Sequence, residues 1–242
     1  MANNQRRTPR TQSLMTDAEL DAVRLSLSIA LRSVLVSLPF AILVSWLLTR
    51  RRLRGRLFLD ALVHLPLVLP PVVVGYLLLL LFGVRGPIGA WLDEHFDIQL
   101  VFTSAGAALA TAVMSFPLMV RAIRISLEGL DAGLDDAART LGAGAWDRFF
   151  TITLPLIAPG VLAGAVTAFA AGLGEFGAVI TFVSNIPGET RTLPLALYTA
   201  LQTPGGDALA ARLAAISFTL GLTSLLAAEL IARRVQRALG RA

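Results

Sequence analysis

The 242 residues contain no cysteine and no lysine, and only two histidines. Without cysteine there is no disulfide, no thiolate metal site and no cysteine nucleophile. Without lysine there is no phosphate-binding loop of the G-x-x-x-x-G-K type, whose lysine contacts the phosphates. Any ATP that drives this protein must therefore be bound by another polypeptide. His64 and His95 are the only imidazoles, and nothing arranges them as a pair of ligands or bases. Charge is scarce as well: 15% of residues are charged against 55% hydrophobic. That balance, with a mean hydropathy of +0.72, excludes an ordinary soluble domain. All 21 basic residues are arginine, and the net charge of +5 reflects loops beside a membrane rather than nucleic-acid binding.

What is present is apolar sequence in long runs, near 22–48, 57–83, 101–125, 156–183 and 208–232. A helix needs roughly 20 residues to cross a bilayer, so the expected fold is an all-α integral membrane protein with about five transmembrane helices. The first run is too long to be a removed leader peptide. The segment 190–203 is too short and too polar for a sixth span. Residues 1–15, polar and arginine-rich with Pro9, read as a disordered tail, and 16–242 as one membrane domain without internal repeats. Thr16-Asp17-Ala18-Glu19 has the pattern of a capping box that opens the first helix. Arg24 and Arg32 lie in its outer turns, where they can snorkel or face protein.

Arginine placement sets the expected orientation. Arg50, Arg51, Arg52, Arg54 and Arg56 crowd the first connection, Arg121 and Arg124 end the third span, and Arg233, Arg234, Arg237 and Arg241 follow the last. The connections 84–100 and 184–207 carry more acid than base. Five spans then run from an external N-terminus to a cytoplasmic C-terminus, although Arg6, Arg7 and Arg10 would lie outside.

The one long polar break falls between the third and fourth runs. Leu134, Ala137, Ala138 and Leu141 sit at i, i+3, i+4 and i+7, one face of a short helix. Asp131 suits its N-cap, Asp135 and Asp136 favour its positive end, and Gly142 can take the left-handed conformation that stops it. A second short helix starts near Ala145 and carries Trp146, Phe149 and Phe150. Two short amphipathic helices at an angle, about 131–150, suit insertion into a groove on another protein. An amphipathic hairpin on the lipid surface is the plainer alternative.

Three features lie within the apolar runs. Pro66, Pro70 and Pro71 interrupt the second, which is either a bend near a gate or a packing kink. Pro39 and Pro117 read as kinks alone. Gly160, Gly164, Ala168 and Gly172 recur every four residues, a smooth stripe for helix packing within the chain, for a subunit interface or for the route itself. Gly174-Glu175-Phe176-Gly177 places a lone carboxylate in apolar sequence, where it must face protein or water. Asn185-Ile-Pro-Gly-Glu-Thr-Arg-Thr-Leu-Pro194 is rich in turn formers and should be an external loop.

Asp136-Ala-Ala-Arg-Thr-Leu-Gly142, followed after nine residues by Ile152-Thr-Leu-Pro155, resembles the cytoplasmic coupling motif of ATP-binding-cassette (ABC) importer permeases. The family's usual first residue is Glu, and Asp136 is one methylene shorter. Over roughly 16–232 the chain is similar to the molybdate importer permeases. The carrying segments are His64-Leu-Pro-Leu-Val-Leu-Pro-Pro-Val-Val-Val-Gly-Tyr76, Met114-Ser-Phe-Pro-Leu-Met-Val-Arg-Ala-Ile-Arg124, Ala137 to Pro155, Gly174 to Ala178 and Thr181 to Thr192. Gly-Glu-Phe-Gly also resembles sulfate permeases; the Leu-Pro-Pro helix and Asn185–Thr192 lean toward molybdate.

The resemblance implies a type I importer in a bacterial inner membrane: a homodimer of this subunit, a cytoplasmic ABC ATPase dimer and a periplasmic molybdate-binding protein. ATP and Mg would be bound by the ATPase, and this chain would hold no cofactor or metal and catalyse no reaction itself. Asp136, Ala137, Ala138, Leu141, Gly142 and Trp146 would dock on the ATPase. Pro70, Pro71, Gly174, Glu175 and Gly177 are candidates for the route or gate. For an anion Glu175 has the wrong sign for a ligand, so a structural or gating partner such as an arginine is expected. Asn185, Glu189 and Arg191 are candidates for binding-protein contact. The rivals are the same machine carrying sulfate, thiosulfate or tungstate, an ion-coupled secondary transporter, which would need paired repeats and ion-coupling carboxylates, and an intramembrane enzyme, which would need a convergent catalytic cluster.

Overall fold

The computed structural model describes residues 15–49 and 54–238, and these are helical almost throughout. The tail at 1–14, Arg50 to Arg52 and Arg241 lie outside the described residues. Helix is the expected answer for this composition, because in hydrocarbon every backbone N–H and C=O must be satisfied within the chain. In order, the helices are α1 (Asp17–Thr49), α2 (Arg56–Val68), α3 (Pro71–Phe82), α4 (Pro87–Phe96), α5 (Ser104–Glu128), α6 (Ala132–Thr140), α7 (Ala145–Arg148), α8 (Leu154–Leu173), α9 (Gly177–Val183), α10 (Leu193–Gln202) and α11 (Asp207–Ala238). A π turn at Phe149–Thr153 joins α7 to α8.

Among the described residues, four helical stretches are long and apolar enough to cross a bilayer alone: Asp17–Thr49, Ser104–Glu128, Ala145–Leu173 and Asp207–Ala227. The pair α2–α3 supplies a fifth apolar segment, but it bends by 117°. The second run is therefore not a kinked rod; it is two helices meeting at a corner. The fourth run ends early, at Leu173, and restarts as α9. The connections 84–100 and 184–207 are not plain loops either, since they contain α4 and α10.

Three helices form the centre, with α5 packed between α1 and α8. Close approach is possible because α5 buries small residues, among them Ala107, Ala110, Thr111, Ala112 and Ser115. The stripe on α8 is consumed here. A methyl group on Gly160 would overlap Ser126, one on Gly164 would stand 3.1 Å from the Met119 carbonyl, and one on Gly172 would stand 2.8 Å from Thr111. The stripe therefore packs α8 onto α5, in antiparallel register.

The buried hydroxyls of Ser33, Ser37 and Ser115 are satisfied within their own helices. Ser37 donates to the Ser33 carbonyl at 2.6 Å and Ser115 to the Thr111 carbonyl at 2.8 Å. Ser45 of α1 donates across to the Val120 carbonyl of α5 at 3.0 Å, while Arg32 reaches Ser104 at 3.3 Å. These two contacts make α1 and α5 parallel. The capping box at the start of α1 is formed: Thr16 N–H donates to Glu19 Oε2 at 2.6 Å and Glu19 N–H donates to Thr16 Oγ1 at 3.4 Å. Glu19 is buried, and Arg212 of α11 donates to the same Oε2 at 3.0 Å, so α11 starts at the same end as α1.

The molecule thus has two ends. One gathers the starts of α1, α5 and α11 with α4 and α10. The other gathers the ends of α1 and α5, the start of α2, and α6–α7.

The packing stripe predicts a clear mutational contrast. Gly160→Val should destabilise by about 1–3 kcal/mol or more through overpacking, lowering the melting temperature and the monodisperse fraction in detergent. Gly221→Val on α11, where a methyl group would meet nothing within 4 Å, should leave both close to wild type.

Candidate functional site

The polar break folds as α6, a four-residue connection and α7. Asp131 caps α6 by accepting the Gly133 N–H at 2.9 Å. At the far end Ala143 N–H donates to the Ala138 carbonyl at 3.1 Å, and Gly142 N–H to the Arg139 carbonyl at 3.1 Å. That bond pair is a Schellman ending, which needs a left-handed residue at the second-last position. Gly142 supplies it with φ 86. Nothing lies within 4 Å of where its Cβ would be, so the demand on Gly142 is conformational and not steric. Arg148 Nη1 donates to the Ala143 carbonyl at 2.8 Å and holds the turn closed.

The apolar face of this segment is largely exposed. Leu141 is 88% exposed, Trp146 77%, Phe150 57% and Leu134 47%. Trp146 stacks on Phe150 with ring centroids 6.1 Å apart, forming a rigid aromatic plate. Asp136 and Ala137 are exposed, and Ala138 is half-buried. The second short helix is not separate from the membrane part. It continues through the π turn into α8 as one stretch, Ala145–Leu173.

The second constellation lies deeper in the molecule, where two helix breaks meet. Pro70 and Pro71 begin α3, a position where a proline's missing N–H is harmless. Gly174, Glu175 and Phe176 separate α8 from α9. A methyl group on Gly177 would stand 2.7 Å from Pro71 Cβ, and one on Gly75 would stand 2.6 Å from the Ala178 carbonyl. These two glycines let α3 and α9 touch backbone to backbone. Pro71 and Gly177, far apart in sequence, are neighbours. Glu175 Oε1 accepts the Ala178 N–H at 2.9 Å and so caps α9; its partner is a helix end rather than an arginine.

A third group links α2 to α5. Arg124 Nη1 lies 3.1 Å from both carboxylate oxygens of Asp60, and its Nε donates to Glu128 at 2.8 Å. Arg56 approaches Glu128 at 3.8 Å. His64 Nδ1 lies 2.9 Å from the Asp60 carbonyl, an atom that can only accept, so this nitrogen carries the hydrogen. Sequence reasoning placed Arg124 at the helix end but missed Asp60. An acid four residues into an apolar run, beside an arginine-rich connection, was the available signal.

The loop after α9 is tightly built. Arg191 Nε donates to Asn185 Oδ1 at 2.9 Å, and Asn185 Nδ2 donates to Thr199 at 2.8 Å. Thr190, fully buried, accepts the Ile186 N–H at 2.8 Å and donates to the Ser184 carbonyl at 3.1 Å. Ser184 is held at φ 65 and ψ −165, a region almost reserved for glycine. Glu189 stands exposed at the tip.

These features define a class: a helical membrane permease with an exposed amphipathic segment at one end and paired broken helices inside. Residues 37–237 match the model of the binding-protein-dependent transport system inner membrane component family, and the chain belongs to that family. It is 60% identical over 228 residues to the molybdenum transport system permease protein ModB of Escherichia coli strain K12, covering 94% of this chain and 100% of the relative. ModB of Haemophilus influenzae is 55% identical over 92% of this chain and 97% of the relative. The sulfate transport system permease protein CysT of E. coli is 41% identical over 75% of this chain and 66% of the relative. Among solved structures, a bacterial ABC transporter that imports the polysaccharide alginate matches with a TM-score of 0.73 and 18% identity, over 91% of this chain and 80% of that one, which supports the fold alone.

The close approach of the two breaks is testable. Gly177→Ala should force Pro71 away and destabilise by about 1–3 kcal/mol, seen as a lower melting temperature. Gly174→Ala, whose methyl group would meet only the Ala171 carbonyl at 3.7 Å, should melt like wild type.

Proposed function

We propose that this chain is the membrane-spanning subunit of an ATP-driven importer for molybdate and its close analogue tungstate. The observation that carries this reading is the full-length likeness to two ModB permeases, 60% and 55% identical, with the sulfate permease more distant at 41%. Two copies of the chain would pair in a bacterial inner membrane. A separate ATPase dimer, binding ATP and Mg, would receive the α6–α7 plate, and a periplasmic binding protein would deliver the anion.

The same reading orients the chain with its coupling end in the cytoplasm. Arg54, Arg56, Arg121, Arg124, Arg139, Arg148, Arg233 and Arg234 belong to that end. The other end carries fewer described arginines, namely Arg24, Arg32, Arg85, Arg191 and Arg212. The asymmetry favours an external N-terminus and a cytoplasmic C-terminus. The rigid loop at Asn185, Glu189 and Arg191 then faces the binding protein, and Pro70, Pro71, Gly174, Glu175 and Gly177 line the route.

In operation, ATP-driven closure of the ATPases moves the two α6–α7 segments together, and the permeases turn from inward-facing to outward-facing. Hydrolysis resets them. Alternating access of this kind needs two discrete packings of the same helices. Gly142 matters because it sets the angle between α6 and α7 and hence the shape offered to the ATPase groove. With the angle lost, ATP hydrolysis can no longer be felt by the membrane helices.

The test is ATP hydrolysis in proteoliposomes holding this chain and its ATPase, with binding protein loaded by molybdate, tungstate or sulfate. Stimulation by molybdate and tungstate but not by sulfate supports the reading; stimulation by sulfate alone replaces the cargo. In the same assay Gly142→Asp should insert normally yet abolish stimulation. Gly142→Asn, which shares with Asp a tolerance of the left-handed region but adds no charge to the docking face, should retain more activity than either Gly142→Ala or Gly142→Asp. Normal stimulation in Gly142→Asp would remove the docking role from this segment.

A further inference from the structure

The charged group between α2 and α5 borders an open groove of about 570 Å3 whose lining includes Asp60 and His64 of α2 and Arg121, Arg124, Ile125 and Glu128 of α5. Asp60 and His64 lie one and two turns into α2, and Arg121 lies two turns from the end of α5. Charged side chains at this depth are too costly to stand against hydrocarbon, so the groove faces water or protein. Its two arginines and two carboxylates are equal in number but not paired one to one. Asp60 and Glu128 are held by Arg124, and Glu128 also by Arg56. Arg121 is exposed and has no ion-pair or hydrogen-bond partner among the described residues. Both carboxylates of the lining are thus engaged by Arg124, Glu128 with further help from Arg56 outside the lining, and Arg121 is left as an uncommitted planar fork in an open cavity.

We propose that this groove is an inner waystation for a tetrahedral oxyanion dianion, with Arg121 as its direct ligand. The proposal rests on the import reading above and adds a site to it. A guanidinium fork matches two oxygens of such an ion, and a 570 Å3 cavity leaves room for the ion to keep part of its water. The groove is on the coupling side of α2, the helix whose other end carries the Pro70–Pro71 corner. An ion passing the facing breaks meets it next. Asp60 and Glu128 have a use here as well: nearby negative charge keeps the affinity low enough for release, as conduction through successive sites requires.

The absence of native cysteine permits a direct test. Ile125 is 63% exposed in the groove wall and will accept Ile125→Cys. In the permease–ATPase complex in nanodiscs, its labelling would be timed with an anionic and a cationic methanethiosulfonate of similar size. The expected result is a preference for the anionic reagent of about tenfold, the size of bias that a local positive potential gives. Millimolar molybdate should slow that reaction, Arg121→Gln should erase the preference, and Arg121→Lys should keep most of it. Absence of labelling, equal rates for the two reagents, or a preference untouched by Arg121→Gln would each overturn the site. Stimulated hydrolysis by the complex containing the unsubstituted permease is read in parallel, and labelling is scored on the permease band alone. If stimulation fails while the charge preference and molybdate protection persist, the anion site stands and the import reading falls. If stimulation is normal without any preference, only the site falls.

Discussion

The structure depends on one constraint: in a bilayer, a broken helix must find partners for its freed backbone groups inside the protein. Two of the five apolar runs are broken, at Leu69–Pro71 and at Gly174–Phe176. Each break is tolerated by the same two means. Its own chain supplies local bonds, as where Val73 and Val74 donate to the Pro70 carbonyl and Glu175 caps the Ala178 N–H. The other break then covers it, because Gly177 and Gly75 remove the side chains that would hold α3 and α9 apart. Neither corner could sit alone against lipid. Facing each other, they form a contact between short helices inside a frame of long ones.

That frame ties both corners to the exposed α6–α7 segment. From Ala145 a single helix runs to Leu173, about 40 Å at 1.5 Å per residue, and ends at the Gly174 break. On the other side, α5 leads into α6 and is clamped to α2 through Arg124, Asp60 and Glu128; α2 ends at the Pro70 corner. Displacing α6–α7 therefore moves one corner through α8 and the other through α5 and α2. The physical warrant is rigidity. Regular helices and close-packed small residues do not absorb a displacement, whereas corners with few side chains between them can.

Much of this was legible in the sequence wherever the determinant was local. The Thr16–Glu19 box, the Asp131 cap and the left-handed Gly142 need only nearest neighbours, and all three occur. The first, third and fifth apolar runs likewise gave long helices, whereas the fourth helix starts at Ala145 and stops at Leu173 and the second run is two helices. The spacing of Gly160, Gly164, Ala168 and Gly172 announced close packing but could not name the partner, which is α5. What escaped depends on the third dimension. α4 and α10 are only ten residues each, too short for a span signal, although Pro87 and Pro194 mark their first turns as proline does. For Glu175 a structural or gating partner such as an arginine was expected, and the bond it makes is to a helix end three residues away. Asp60 was passed over because only folding brings it to Arg124.

Replacing lysine by arginine throughout has a structural reading as well. Arg124 engages Asp60 through Nη1 and Glu128 through Nε, two carboxylates on different helices held by separate nitrogens of one plane. An ammonium is a compact point charge without that fixed fork, and it loses its proton more readily when buried. At helix ends beside a membrane, where water access varies as the transporter changes shape, a cation that cannot deprotonate keeps its ion pairs in every state. The clamp between α2 and α5 can therefore persist while the corners it serves rearrange.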